Sequence, residues 1–364
     1  MTLSSNTPDQ SFYPKIEISL NKISHNTELV VRMCRRHGIR VVGVTKVCCG
    51  HISIANAMVD GGIDIIGDSR LENLKRLNEI RLPKLLLRLP MISQAGDVVE
   101  CADISLNSEI ETIRALSEAA QLKNKTHQII LMFDLGDLRE GIFTTDELFR
   151  VVEETLKLKR ILITGIGTNL TCYGGVIPTK ENLARLVALK KMIESNFDIL
   201  LSIVSGGNSS SLHLLEENAM PDGINQLRLG ESILLGYETA YRTRIKGTYD
   251  NCFRLITEIV EIKDKPSRSI GEIGLDAFGN TPQFAEIGIR KRAICAIGKQ
   301  DIHPQDLVPE DKNITIIGSS SDHLILDITD CQSVYRIGSL ISFNLTYGGI
   351  LSSMTSEYVS KSFK

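Results

Sequence analysis

The sequence lacks the features that would place a protein in a membrane, on a nucleic acid or in the secretory route. No apolar run approaches the length of a membrane span, and the polar stretch Met1–Phe12 has no apolar signal segment. The charges are balanced, with 41 Lys+Arg against 44 Asp+Glu, and no basic stripe is present. These absences argue against a membrane or nucleic-acid partner.

The chain also lacks a cysteine motif. Of its eight cysteines only Cys48 and Cys49 are neighbours, and no CxxC pair is present for zinc or redox chemistry. We therefore expect no metal site and a reduced, cytoplasmic protein of enzyme size.

The length and the patterning predict two domains and an α/β fold. A chain of 364 residues is too long for one ordinary core. Strand-like and helix-like segments alternate through most of the chain, and the pattern becomes mostly extended after about Thr248. We expect a polar tail at 1–12, a barrel at 13–245 and a mostly β domain at 246–364.

The first large segment predicts a (β/α)8 TIM barrel. A strand-like run, Lys15–Leu20, and a helix, Asn21–Arg36, precede eight strand–helix units of roughly 20 to 30 residues each. The predicted strands are Arg40–Val47, Ile63–Asp68, Lys84–Leu89, Asp103–Leu106, Gln128–Asp134, Ile161–Gly167, Ile199–Val204 and Gln226–Leu229. The predicted helices are Ile52–Val59, Arg70–Ile80, Ser93–Glu100, Ser108–Leu122, Thr145–Lys157, Thr179–Ser195, Ser210–Glu217 and a turn toward Leu235. A doubly wound sheet is the alternative, but it rarely needs eight units and an early GxGxxG is absent.

The C-terminal segment predicts β structure, because extended runs alternate with Gly, Pro, Asp and Asn turns. A helical pattern is confined to the last dozen residues. The extended runs are Phe253–Lys263, Arg292–Ile297, Ile314–Ile317, His323–Ile328 and Ser339–Leu345.

Lys46 is the first candidate functional residue. It ends a run rich in β-branched residues, and the chain breaks soon afterwards at Gly50. A desolvated lysine amine is a nucleophile toward carbonyls, including the aldehyde of pyridoxal phosphate (PLP). The alternative is a lysine whose stem lies along the strand end while its ammonium reaches water.

Two loops rich in small residues follow the last two predicted strands. They contain Asn208–Ser209 and Gly230–Glu231, and each begins a helix. Backbone N–H groups and hydroxyls at such positions bind phosphate in many barrels, although each loop alone could be an ordinary turn. Arg228 lies just before the second loop. It could form an ion pair at the surface, or it could be a fixed cation near a cofactor ring. Arg139, Asn169 and Cys172 follow strands five and six at the same end of the barrel.

These residues together resemble the fold-type III PLP enzymes of the alanine racemase superfamily, and most closely their ornithine-racemase-like branch. The resemblance covers nearly the whole chain. The matching motifs are Gly43–Lys46, Gly67–Asn73, Asp134–Gly141, Asn208–Ser209, Arg228–Gly230, Gly271–Gly279 and Ala296–Asp301.

The resemblance implies a PLP-bearing barrel and a head-to-tail homodimer with shared active sites. Lys46 would carry the cofactor and act as one proton-transfer base. Asn208, Ser209, Gly230 and Glu231 would hold the phosphate, with Asn169 nearby. Arg228 would face the pyridine nitrogen and keep it unprotonated, which favours racemisation over transamination. Arg139 would lie near the substrate carboxylate.

The chain departs from the alanine racemases proper at the second base. Cys48–Cys49 replaces a tyrosine after the lysine, the stretch 274–279 has no tyrosine, and Met132 stands where a lysine is usual. Asp276 is the leading candidate for the opposite-face base, and Cys172 is the second. Asp276 could instead be a turn carboxylate or a partner for a substrate ammonium.

The sequence therefore predicts PLP-dependent racemisation of a free amino acid, with a basic side chain such as that of ornithine or lysine. A decarboxylase of the same architecture is one alternative, and Arg228 argues against it because those enzymes generally place a glutamate near the pyridine nitrogen. A non-catalytic PLP carrier is another, but such proteins are usually a bare barrel. In that case residues 248–364 would have no explanation.

Overall fold

The computed structural model describes residues 12–364, so most of the predicted tail 1–12 lies outside the described residues. The described chain forms two compact units. One comprises residues 20–250, and the other comprises residues 12–19 together with 251–364.

The chain starts with strand β1 (Lys15–Ile18), which belongs to the second unit because it pairs with strands from the C-terminal segment. The sequence pattern had grouped residues 13–19 with the barrel, and the structure corrects this. The alternation of buried and part-buried side chains in Lys15–Ile18 made the strand recognisable. Its distant partners could not be recognised from the local pattern.

The first unit is a closed barrel of eight parallel strands, which confirms the predicted TIM barrel. Each strand pairs with the next, and the last pairs with the first. The strands are β2 (Arg40–Val44), β3 (Ile65–Asp68), β4 (Lys84–Leu86), β5 (Ile104–Asn107), β6 (His127–Met132), β7 (Ile161–Gly167), β8 (Ile203–Ser205) and β9 (Gln226–Leu229). The helices are α1 (Leu20–Arg35), α2 (Ile52–Asp60), α3 (Leu71–Arg76), α4 (Ala95–Cys101), α5 (Ile110–Leu122), α6 (Thr145–Leu156), α7 (Lys180–Phe197), α8 (His213–Glu216) and α9 (Glu231–Leu235).

The barrel core is built from apolar side chains of the strands. A cluster of buried residues comprises Val42, Ile65, Leu85, Ile104, Leu106, Ile130, Met132 and Ile203. The helices turn their apolar faces inward, as α1 does with Ile23, Val30 and Cys34. The start of α7 is fixed by a capping box, in which Thr179 accepts from the Asn182 N–H and Asn182 accepts from the Thr179 N–H.

Several predicted strands were too long. The first ends at Val44, and Lys46–Cys48 forms a 3-10 helix, so Lys46 lies just beyond the strand. The predicted strand Ile199–Val204 is reduced to β8, and Ser209–Ser211 is a 3-10 helix ahead of the short α8. The reason is that hydrophobic runs continue beyond the point where barrel hydrogen bonding stops.

The second unit is mostly β, as predicted, and its main sheet is antiparallel in the order β12-β15-β10-β11-β14-β13. Its strands are β10 (Phe253–Pro266), β11 (Ile289–Cys295), β12 (Leu307–Pro309), β13 (Thr315–Ser319), β14 (Leu324–Asp327), β15 (Leu340–Leu345) and β16 (Ser360–Phe363). The helix predicted for the last dozen residues lies earlier, as α10 (Tyr347–Thr355), and β16 follows it. The end of the chain is a strand because β16 pairs in parallel with β1.

Within residues 12–364, no helix combines the length and the apolar character needed to cross a membrane.

Candidate active site

Lys46 lies at the mouth formed by the C-terminal ends of the barrel strands. It is the first residue of the 3-10 helix that follows β2, and its side chain is exposed, whereas Thr45 and Val47 on either side are buried. The Thr45 N–H donates to the Gly67 carbonyl at 3.0 Å, which ties the loop to the next strand. The lysine therefore projects from a fixed backbone.

A buried hydrogen-bond network supports this loop. Asp68 is fully buried, and its carboxylate accepts from Thr45 Oγ1 at 2.7 Å, from Asn73 Nδ2 at 3.0 Å and from the Arg70 N–H at 2.9 Å. Burial raises the pKa of Asp68, and these hydrogen bonds oppose the rise. The sequence motif Gly67–Asn73 contains Asp68, Arg70 and Asn73 of this network, but the motif alone indicated no role for Asp68.

Arg228 is a buried cation. Its side chain is only 5% exposed and donates to Ser205 Oγ and, at 2.6 Å, to the Thr168 carbonyl. Within residues 12–364 it forms no ion pair with a carboxylate, so the surface ion-pair alternative is wrong. Desolvation lowers its pKa to about 10. Arg228 is therefore a buried cation whose two hydrogen-bond acceptors, Ser205 Oγ and the Thr168 carbonyl, carry no charge.

The two predicted phosphate loops lie side by side. Ser209 Oγ donates to Ser232 Oγ at 3.0 Å, and the Ser232 N–H lies 3.2 Å from Ser209 Oγ. Asn208 caps the first loop by accepting from the Ser210 N–H at 2.8 Å. Gly230 leaves room in the second loop, since a Cβ there would lie 3.2 Å from Val44 Cβ. The contact between Ser209 and Ser232 joins the ends of β8 and β9 in one place.

A third group of polar side chains follows β6 and β7. Asn208 Nδ2 donates to the Leu170 carbonyl at 2.9 Å and lies 3.1 Å from the Asn169 amide and 3.3 Å from Cys172 Sγ. The other face of the Asn169 amide lies 3.1 Å from Arg139 Nη1. The predicted residues form one connected group, in which Asn169 links Arg139 to Asn208 and Asn208 contacts Cys172.

Arg139 is already paired with a carboxylate. Its half-exposed guanidinium forms a bidentate ion pair with Glu140, and this interaction raises the pKa of Arg139. Glu140 is the less exposed partner, with 16% of its side chain accessible.

Asp137 positions this group, and no feature of the sequence singled it out. Its carboxylate is 1% exposed and accepts backbone N–H groups from Thr171 (3.0 Å), Cys172 (3.3 Å), Tyr173 (2.9 Å) and Val176 (3.2 Å). One buried side chain from the loop after β6 therefore fixes the loop after β7. No local pattern marks it, because its partners lie 34 to 39 residues away.

Asp276 lies in the second unit, in the segment between β10 and β11. Its Oδ1 accepts the N–H groups of Phe278 and Asn280, each at 2.8 Å, and the Asn280 bond is the first of the interactions that lower its pKa. Within its own unit Asp276 is a turn carboxylate, which was the alternative interpretation. Its role as a base stays a prediction.

No group of three or more His, Cys, Asp and Glu side chains within residues 12–364 is arranged to hold a metal ion.

Comparison with known proteins identifies the family. The model of the alanine racemase N-terminal domain matches residues 18–238. The chain is 47% identical to an ornithine racemase of Acetoanaerobium sticklandii over 96% of this chain and 99% of that protein. It is 41% identical to a lysine racemase of Thermotoga maritima over 97% of this chain and 99% of the relative.

Solved structures agree on the fold. An alanine racemase of Clostridium difficile 630 superposes with a TM-score of 0.75 over 98% of this chain and 96% of that chain, at 18% sequence identity. The superposed residues include both units, and at this sequence identity the similarity is one of fold alone. Because the family model covers more than half of the chain, and two relatives are similar along nearly their whole length, this protein belongs to the alanine racemase family, as its motifs predicted.

Proposed function

We propose that this protein is a PLP-dependent racemase of a basic free amino acid, ornithine or lysine. The observation that carries the proposal is the buried Arg228, a cation without a carboxylate partner in the described residues, in the barrel whose mouth presents Lys46. The substrates are proposed from the names of the two relatives that match along nearly their whole length.

The residues at the mouth fit PLP. The Ser209 and Ser232 hydroxyls, the backbone of Gly230 and Glu231, and Asn208 would hold a phosphate at the joined loops. Arg228 offers a permanent cation to a ring nitrogen, and Lys46 offers an amine to a carbonyl. When bound, PLP supplies that carbonyl and a ring that withdraws electrons from Cα of an amino acid, which makes its α-proton removable.

The chain's own residues would then move the proton. Lys46 Nζ would remove or return the α-proton on one face of Cα, and a second base would serve the opposite face. Asp276 from a second copy of the chain is proposed for that role, with Cys172 as the alternative. Arg139 and Asn169, held in place by the Asp137 loop contacts, would position the substrate carboxylate.

The rival functions have less support. A decarboxylase of this fold would place a carboxylate where Arg228 lies, and Arg228 is held there by Ser205 and Thr168. A PLP carrier would not need the second unit of residues 251–364, and both near full-length relatives bear the names of racemases.

A covalent label tests the cofactor assignment. We expect purified protein with PLP to show a visible absorption band that borohydride abolishes, with the reduced cofactor fixed on the Lys46 peptide. We expect the label there because Lys46 lies at the same barrel mouth as the two loops joined by Ser209 and Ser232. Peptide mapping by mass spectrometry measures the position. If the Lys46→Ala protein is labelled at another lysine, the assignment of Lys46 as the PLP-bearing lysine is wrong.

We also propose a homodimer in which the segment 268–289 reaches the barrel of the second copy. This segment exposes large apolar side chains, including Ile270 (88% exposed) and Leu275 (72% exposed). A Cβ added at Gly271, Gly274 or Gly279 would meet nothing within 4 Å. An exposed apolar segment with so little packing in its own chain is suited to a partner of the same kind.

Subunit mixing tests the shared site. A mixture of Lys46→Ala and Asp276→Ala proteins is expected to recover activity, because one site of each mixed dimer would contain both Lys46 and Asp276. Dissociation and reassociation before a racemisation assay provides the measurement. The unmixed variants, carried through the same cycle, are the control. If mixed dimers form without activity, Asp276 serves its own barrel, and an unmixed Asp276→Ala protein that keeps its activity would show that Asp276 has no catalytic role.

We propose a cytoplasmic location as well. Cys34, Cys48 and Cys295 are buried free thiols, which suits a reducing compartment.

A further inference from the structure

A racemase of ornithine or lysine needs a place for a second ammonium group. The proposed function leaves open which residue provides it. A carboxylate at the barrel mouth with unused acceptor capacity suits this task best, because a charged hydrogen bond discriminates strongly against a neutral side chain. Most carboxylates near the mouth are already committed to other partners.

Four buried carboxylates are occupied by the fold. They accept hydrogen bonds from backbone N–H groups and neighbouring side chains, so their acceptor atoms already stabilise the local structure. These residues are Asp68, Asp134, Asp137 and Glu238.

Glu140 is committed in a different way, since its carboxylate forms the bidentate pair with Arg139. Releasing Glu140 to bind a substrate would leave Arg139 without its partner, at a cost in free energy. Asp276, in the second unit, has one carboxylate oxygen engaged by two backbone N–H groups.

Glu231 is different from all of these. It begins α9 directly after Gly230, and its side chain is half-buried. Within residues 12–364 its carboxylate has no ion-pair or hydrogen-bonding partner, and its electrostatic neighbours are Arg242 and Lys46. Burial raises its pKa and the two cations oppose the rise, so a further cation at the carboxylate would stabilise the charged form.

We propose that the Glu231 carboxylate binds the side-chain ammonium of the substrate and so selects basic amino acids. This inference rests on the proposed function. It also refines the sequence-based assignment of Glu231 to the cofactor, because a carboxylate next to a phosphate would repel it. The Glu231 backbone N–H remains available for the phosphate while the side chain serves the substrate.

A comparison of charged and neutral substrates tests the proposal. We expect Glu231→Gln to lower the ratio of kcat/KM for ornithine to kcat/KM for norvaline by about 10- to 100-fold, through a higher KM for ornithine. Glu140→Gln and Asp276→Asn test the two rival carboxylates in the same way. Glu118→Gln, an exposed change on α5, is the matched control. Glu231→Asp, which keeps the charge, is expected to restore part of the ratio.

A binding measurement covers the case in which norvaline is not turned over. The rise in thermal midpoint that ornithine produces in the PLP-loaded protein should shrink in Glu231→Gln, and the rise with norvaline should not. Equal losses for both substrates would assign Glu231 to cofactor binding and overturn the proposal. A ratio that falls only in Glu140→Gln or Asp276→Asn would also overturn it and name the correct residue.

The proposed function and the role of Glu231 fail in different ways. If the wild-type protein racemises neither ornithine nor lysine, the proposed function is wrong. If it racemises them and Glu231→Gln leaves both the ratio and the binding difference unchanged, only the inference about Glu231 is wrong.

Discussion

Replacement of Lys46 by alanine is expected to lower the rate of racemisation by about four orders of magnitude or more. The change removes the amine that would bond to the cofactor and the base on one face of Cα. Because Lys46 is exposed and Thr45 keeps its contacts with Gly67 and Asp68, the fold should survive. Initial rates of inversion of ornithine and lysine, with PLP in excess, measure the effect.

Lys75→Ala is the matched control for this experiment. Lys75 is an exposed lysine of α3 whose Nζ pairs with Asp97 at 3.2 Å, and an exposed pair of this kind contributes little to stability. Its loss should leave the racemisation rate within a few-fold of the wild type. A Lys46→Ala protein that retains a tenth or more of the wild-type rate would contradict the role of Lys46.

Arg228→Glu is expected to have the second large effect, a fall in racemisation on the order of 100-fold together with more transamination. A carboxylate facing the ring nitrogen favours protonation of that nitrogen. The protonated ring would withdraw electrons from Cα more strongly. Proton return to Cα is then slower, so transfer of the amino group competes with it. The ratio of inverted amino acid to keto acid, followed by chiral chromatography, measures this partition.

Two further variants separate charge from folding at position 228. Arg228→Lys keeps a cation and should hold the partition closer to the wild type, and Arg228→Gln removes the charge while retaining a donor for the Thr168 carbonyl. Circular dichroism and thermal unfolding identify a variant that merely loses structure. An unchanged partition in a folded Arg228→Glu protein would mean that Arg228 does not face the ring.

The amino-acid pattern was sufficient to predict the barrel and the end of the barrel at which its candidate residues lie. Alternation of strands and helices specifies a parallel barrel, and the ends of parallel strands meet at one mouth. Lys46, Arg228 and the loops at Ser209 and Gly230 could therefore be grouped from their places in the chain. Their proposed roles remain predictions that the experiments above address.

What the sequence did not reveal are contacts made at long separation in the chain. Asp137 holds a loop more than 30 residues away through backbone N–H groups, and Asp68 supports Thr45 across 23 residues. Neither contact follows from a local period. For the same reason the sequence did not predict that β1 belongs to the second unit, because the strands that pair with it begin at Phe253 and Ser360.

We propose that this chain inverts the stereochemistry of a basic amino acid with PLP. The most direct measurement is the change in optical rotation of L-ornithine and of L-lysine incubated with purified protein and PLP, with alanine as a comparison. We predict that rotation decays to zero for ornithine or lysine, far faster than for alanine, and that it decays equally from the D-enantiomer. Unchanged rotation for both basic amino acids, with PLP bound to Lys46, would contradict the claim.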